Sequence, residues 1–169
     1  MRKISLIAML IAISMCIFTI EMFIPVPVPI PGVKCGLSNV IILVTLFLLG
    51  RTDAAKVLFI KIILTSLIFA QGMSIFYSLF GGILAFLIMA ILKKPLYDCI
   101  WAVSVFGALA HNTGQIIVAA FVMNTTVIFS YFPILIISAI ITGAFTGITA
   151  QLIIQKNTYI KKLFGELKK

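Results

Sequence analysis

The stretch that decides the fold is Arg2-Lys3-Ile4-Ser5-Leu6-Ile7-Ala8-Met9-Leu10-Ile11-Ala12-Ile13-Ser14-Met15-Cys16-Ile17-Phe18-Thr19-Ile20-Glu21-Met22-Phe23-Ile24, with Pro25-Val26-Pro27-Val28-Pro29-Ile30-Pro31-Gly32 directly behind it. Two cations precede an apolar run of 21 positions, Ile4 to Ile24. A signal-peptide core is shorter, and no A-x-A site follows, so the run reads as a membrane-spanning helix. The alternating prolines stop it. They cannot donate backbone hydrogen bonds, and each pushes its predecessor out of helical geometry. The segment behind the first helix is therefore expected to be extended and polyproline-like.

The rest of the chain has the same character. Of its 169 residues, 63% are hydrophobic and 10% charged, with a mean hydropathy of +1.28. A soluble domain is roughly 45–50% apolar and about 25% charged. The sequence thus reads as one transmembrane domain, residues 1–169, of an all-α polytopic membrane protein. Charges and helix breakers divide it into six helices: about 4–24, 37–50, 54–71, 75–92, 100–123 and 131–155, with a basic tail at 156–169.

The formal charge is +9, from 13 Lys+Arg against 4 Asp+Glu. In this setting it reads as topology, not nucleic-acid binding. With the N-terminus inside, 11 of the cations fall on inner segments. Lys34 alone falls on an outer segment, and Lys61 lies within the third helix. Both termini are then cytoplasmic, an even number of spans follows, and the location is the cell (cytoplasmic) membrane.

Candidate functional residues are those whose polarity is costly in lipid, at least about 2.5–3.5 kcal/mol for a charge at mid-bilayer. Lys61 either snorkels towards the inner face or faces a cavity. Thr65, Ile68 and Gly72 follow on its stripe at helical spacing. His111, Asn112 and Gln115 lie within five residues of an otherwise apolar helix. They either tie helices together or line a pocket. Glu21 is the only acid near the outer ends, placed to pair with Lys34, Lys61 or His111 or to line an outward pocket. Lys34, Ser38 and Asn39 lead from the prolines into the second helix. One pocket is expected to gather Lys34, Lys61, His111, Asn112 and Gln115, with Glu21 at its edge. Thr65 and Asn39 complete the candidate ligand-binding set.

Small residues four apart permit close helix approach. Ala139, Gly143 and Gly147 suggest internal packing in the sixth helix, and Gly81 with Ala85 in the fourth. Ala8 and Ala12 lie on the inner half of the first helix, where either a partner subunit or this chain's own helices could pack. No phosphate loop, metalloprotease motif or acidic diphosphate cluster occurs. Cys16, Cys35 and Cys99 form no zinc or disulfide pattern. The residues argue against autonomous catalysis, and neither a metal nor a cofactor is expected.

The stretch from Ile24 to Asn39 resembles a proline-rich P-x-P-G-x-K-x-G-L-x-N signature. Tyr77-Ser78-Leu79-Phe80-Gly81-Gly82 and Ala110-His111-Asn112-Thr113-Gly114-Gln115 resemble two further segments of the same family. This is the Gx transporter family, also called heptaprenyl diphosphate synthase component I. It is similar to the substrate-binding membrane subunits (S components) of energy-coupling factor transporters. The resemblance implies a six-helix bundle that binds a small vitamin- or isoprenoid-related ligand near the outer face. It also implies an A-x-x-x-A contact, here Ala8 and Ala12, with a transmembrane coupling subunit served by ATPases. The second family name implies instead a non-catalytic membrane component beside a soluble polyprenyl diphosphate synthase. Cys35, Ser38 and Lys61 depart from the expected Leu, Ala and Arg. Lysine keeps the charge and loses the bidentate fork.

Overall fold

The computed structural model describes residues 2–23, 36–69, 72 and 74–156. Among them are six α-helices: α1 Arg2–Glu21, α2 Asn39–Leu48, α3 Arg51–Phe69, α4 Ser74–Leu92, α5 Ile100–Met123 and α6 Phe132–Lys156. A 3-10 turn, Val127–Tyr131, leads into α6. The proline segment, Lys34, Cys35 and the basic tail beyond Lys156 lie outside the described residues.

Four segments, α1, α4, α5 and the 3-10 turn joined to α6, are long and apolar enough to cross a membrane. The two others differ for separate reasons. α3 has the length, but it carries Arg51, Asp53, Lys56 and Lys61. α2 has only 10 residues, about 15 Å of helix against a hydrocarbon core of about 30 Å. Every residue from Val40 to Phe47 is buried, with α1, α3, α4 and α6 packed around it. α2 is therefore the core of the bundle, shielded on all sides, and shorter than the 37–50 expected.

The α2–α3 connection also differs from expectation. Helix α3 begins at Arg51, directly after Gly50, which takes φ +107°. Arg51 and Asp53 thus form its first turn and not a loop before residue 54. An acid in that turn favours the positive end of the helix dipole. Asp53 is buried there, with the Lys3 ammonium at 2.9 Å and that of Lys56 at 3.6 Å. The Lys3 pair ties the start of α1 to the start of α3.

Two more cations close helix ends on the same side of the bundle. Arg51 donates to the Ala90 carbonyl in α4 at 2.8 Å, and Lys93 donates to the Leu46 carbonyl in α2 at 2.7 Å. Both satisfy last-turn carbonyls that have no intrahelical partner. At the far end of α5, Asn124 takes a left-handed cap, φ 46°, a conformation that asparagine tolerates better than most residues.

The tightest packing runs through glycines. A Cβ on Gly114 of α5 would stand 2.8 Å from the Gly81 Cα of α4. A Cβ on Gly143 of α6 would stand 2.7 Å from the Val105 Cα, and one on Gly147 2.5 Å from the Trp101 Cα, both in α5. With Ala139 fully buried, the α6 ladder is the internal seam expected of it. In lipid such close approach, by van der Waals contact, takes the place of a hydrophobic drive. Ala8 and Ala12 behave differently: both are exposed on α1, so neither packs into this chain's core.

Candidate functional site

The polar residues of five helices and one turn meet at the end of the bundle opposite the Lys3–Asp53 pair. Phe18 and Glu21 come from α1, Gly36 and Ser38 from the turn into α2, Asn39 from the start of α2, Lys61 and Thr65 from α3, and His111 and Gln115 from α5. Ser78 and Gly82 of α4 close the remaining side. Together they line a cavity with ≈ 380 Å³ of space between atoms, open solvent at its mouth included. Its enclosed part is about the size of one water. A larger guest enters only if the lining side chains move apart.

Backbone geometry puts these groups in place. Gly36 takes φ +77°, which a side chain would strain, and a Cβ there would crowd Asn39 and His111 at 3.1 and 3.4 Å. The Glu21 carboxylate accepts hydrogen bonds from the Gly36 and Ser38 backbone N–H groups, the latter at 3.3 Å. It thereby holds the last turn of α1 against the first turn of α2, where free N–H groups and the dipole favour an anion. Ser14 adds a second tie, its hydroxyl donating to the Ser38 carbonyl at 3.2 Å.

Lys61 is buried, with 6% exposure. Its ammonium donates to Ser38 Oγ at 2.5 Å and lies 5.7 Å from the centroid of the Phe18 ring. The side chain therefore points into the cavity and does not snorkel. Thr65 is buried on the same stripe and donates to the Lys61 carbonyl at 2.8 Å. The stripe ends there: Ile68 is 62% exposed. Gln115 Nε2 and His111 Nε2 are 3.1 Å apart, one turn from each other on α5. Gln115 is fully buried, and its amide oxygen has no hydrogen-bond partner among the described residues.

The structure thus brings Glu21, Asn39, Lys61, Thr65, His111 and Gln115 around one cavity. It does not bring Asn112 there. The Asn112 amide donates to the Leu135 carbonyl of α6 at 2.9 Å, on another face of α5. Successive helix residues are about 100° apart, so a neighbour in sequence need not share the cavity. Lys34 lies outside the described residues. Phe18, Ser38 and Ser78 were not among the candidate ligand residues. Ser38 sits in the polar run entering α2, and Ser78 in the Tyr77–Gly82 segment, so both carried a signal. Phe18 carried none, being one apolar residue in an apolar helix.

An all-helical multi-pass membrane protein with a buried, polar-lined cavity near one end of its bundle is the class that this arrangement defines. The chain belongs to the heptaprenyl diphosphate synthase component I family, whose model matches residues 10–153. That match includes every cavity residue named above. No curated protein and no solved structure matches the chain.

Proposed function

We propose that this protein is a non-catalytic, ligand-binding membrane subunit. In this reading the six helices form one membrane bundle, with α2 enclosed inside it and both termini in the cytoplasm. It takes a small vitamin- or isoprenoid-related molecule into the cavity from the outer side and acts through a partner, as the S component of an energy-coupling factor transporter does. The observation that carries it is the convergence of Glu21, Asn39, Lys61, Thr65, His111 and Gln115 from separate helices on one cavity. Polar side chains are expensive in a bundle of this composition, and burying them around free space is the usual mark of a binding site. Ala8 and Ala12, exposed on α1, supply a small-residue surface on which a coupling subunit can dock.

The family's name favours a second reading: a membrane component that associates with a soluble heptaprenyl or polyprenyl diphosphate synthase. Both readings leave the chain without turnover of its own. Gentle detergent extraction from source membranes, followed by identification of co-purifying proteins, separates them. Recovery of a transmembrane coupling subunit with ATPases supports transport. Recovery of a soluble prenyl synthase supports the second reading. Prenyl-transfer or ATPase turnover by the purified single chain would sink both.

A further inference from the structure

We infer that the cavity takes a small molecule of no net charge that hydrogen-bonds to the Gln115 amide, and that it does not take a diphosphate. The inference deepens the ligand-binding reading above and rests on it. Its first support is a charge count. Among the described residues lining the cavity, Lys61 is the one permanent cation and Glu21 the one carboxylate. Both are buried, at 6% and 4% exposure, and both are bound to the same short turn: Lys61 through Ser38 Oγ, Glu21 through the Gly36 and Ser38 N–H groups. Among the described lining residues the two charges balance. A neutral or zwitterionic guest keeps that balance. A diphosphate would bring two or three negative charges into a water-poor cavity with no further permanent cation among its described lining, and buried charge is tolerated only when it is paired.

The second support is the amide of Gln115. The residue has no exposed surface, it lines the cavity, and its Oε1 has no hydrogen-bond partner among the described residues. Its Nε2 is taken up by His111. Exchanging the two ends of the amide would not remove the deficit: His111 would then meet the oxygen, and the NH₂ group would lie open. One end of a buried amide therefore stays unmatched in either arrangement, which is costly unless a guest supplies the missing group. An uncharged N–H, O–H or carbonyl group on a ligand entering the cavity would supply the missing partner.

The test uses the full chain in nanodiscs of neutral lipid, dialysed against a polar-metabolite extract of the source cells, with bound molecules identified by mass spectrometry. The wild type is expected to enrich one or more molecules of zero net charge at pH 7. Gln115→Leu should lose that enrichment by about tenfold or more, the size of effect expected when a buried hydrogen-bond partner is removed. Isopentenyl diphosphate added in excess should not compete. If Gln115→Leu does not fold, as judged by its melting curve, Gln115→Met is read in its place. Enrichment of a diphosphate, competition by isopentenyl diphosphate, or enrichment indifferent to the Gln115 substitution overturns this inference and leaves the ligand-binding reading standing. If the wild type enriches nothing, the ligand-binding reading itself fails, and this inference falls with it.

Discussion

The ammonium of Lys61 in α3 and the hydroxyl of Ser38 at the mouth of α2 are held 2.5 Å apart, both buried. A hydrogen bond to a charged group is worth more than a neutral one, and a buried charge that loses an acceptor costs about 1–3 kcal/mol or more. Ser38→Ala should therefore destabilise the protein by at least that much in detergent melts. Lys61→Met removes the charge along with its need for an acceptor. The double variant should lose less than the sum of the two single variants, with a coupling of about 1 kcal/mol or more. Additive losses would show that the contact contributes nothing.

Gly114 meets Gly81 backbone to backbone, so an added methyl group has no flexible side chain to displace. Gly114→Ala should push α4 and α5 apart at the level of the cavity. Overpacking of this kind costs about 1–3 kcal/mol. Thermal melts give the stability change, and an alanine variant as stable as the parent would contradict the close crossing.

Asn112 should tolerate replacement. Among the described residues its amide makes one hydrogen bond, to Leu135, while its buried Oδ1 has no partner. Asn112→Leu removes a bond and an unsatisfied acceptor together, changes that largely offset each other. Stability should shift by less than about 1 kcal/mol, and metabolite enrichment by the nanodisc-embedded chain should not change. A loss of enrichment with the fold intact would return Asn112 to the ligand site.

Ala8→Trp with Ala12→Trp should leave the isolated chain's melting temperature almost unchanged, because both residues are exposed. Retention of a coupling subunit in a pull-down should be lost, since a bulky side chain holds a partner helix away. A pair of tryptophans that lowers the melting temperature while the partner is retained would refute docking through this face.

Much of the helical outline is legible residue by residue. The limits of α5, 100–123, are those expected, with the Asn124-Thr125-Thr126 loop ending it, and those of α4 and α6 fall within a residue of expectation. The gathering of Lys61, His111 and Gln115 is legible for a similar reason: each is costly in lipid, and inward placement removes that cost. Asn112 obeys the same rule by another route, turning inward onto α6.

What the sequence by itself determined, then, is where α4, α5 and α6 start and stop, to within a residue, and which side chains cannot face lipid. Prolines, glycines and charges act locally on the backbone or pay a local solvation cost. Only the tertiary structure decided that α2 is the enclosed centre, that Ile68 leaves the stripe of Lys61, that Ala8 and Ala12 face outward, and that Glu21 closes the turn into α2. The reason is that lipid and protein interior are almost equally apolar. A helix such as α1 is hydrophobic nearly all round, so its periodicity does not mark which face turns inward. That choice is made by close packing at Gly81, Gly114, Gly143 and Gly147 and by the few polar groups that must find one another.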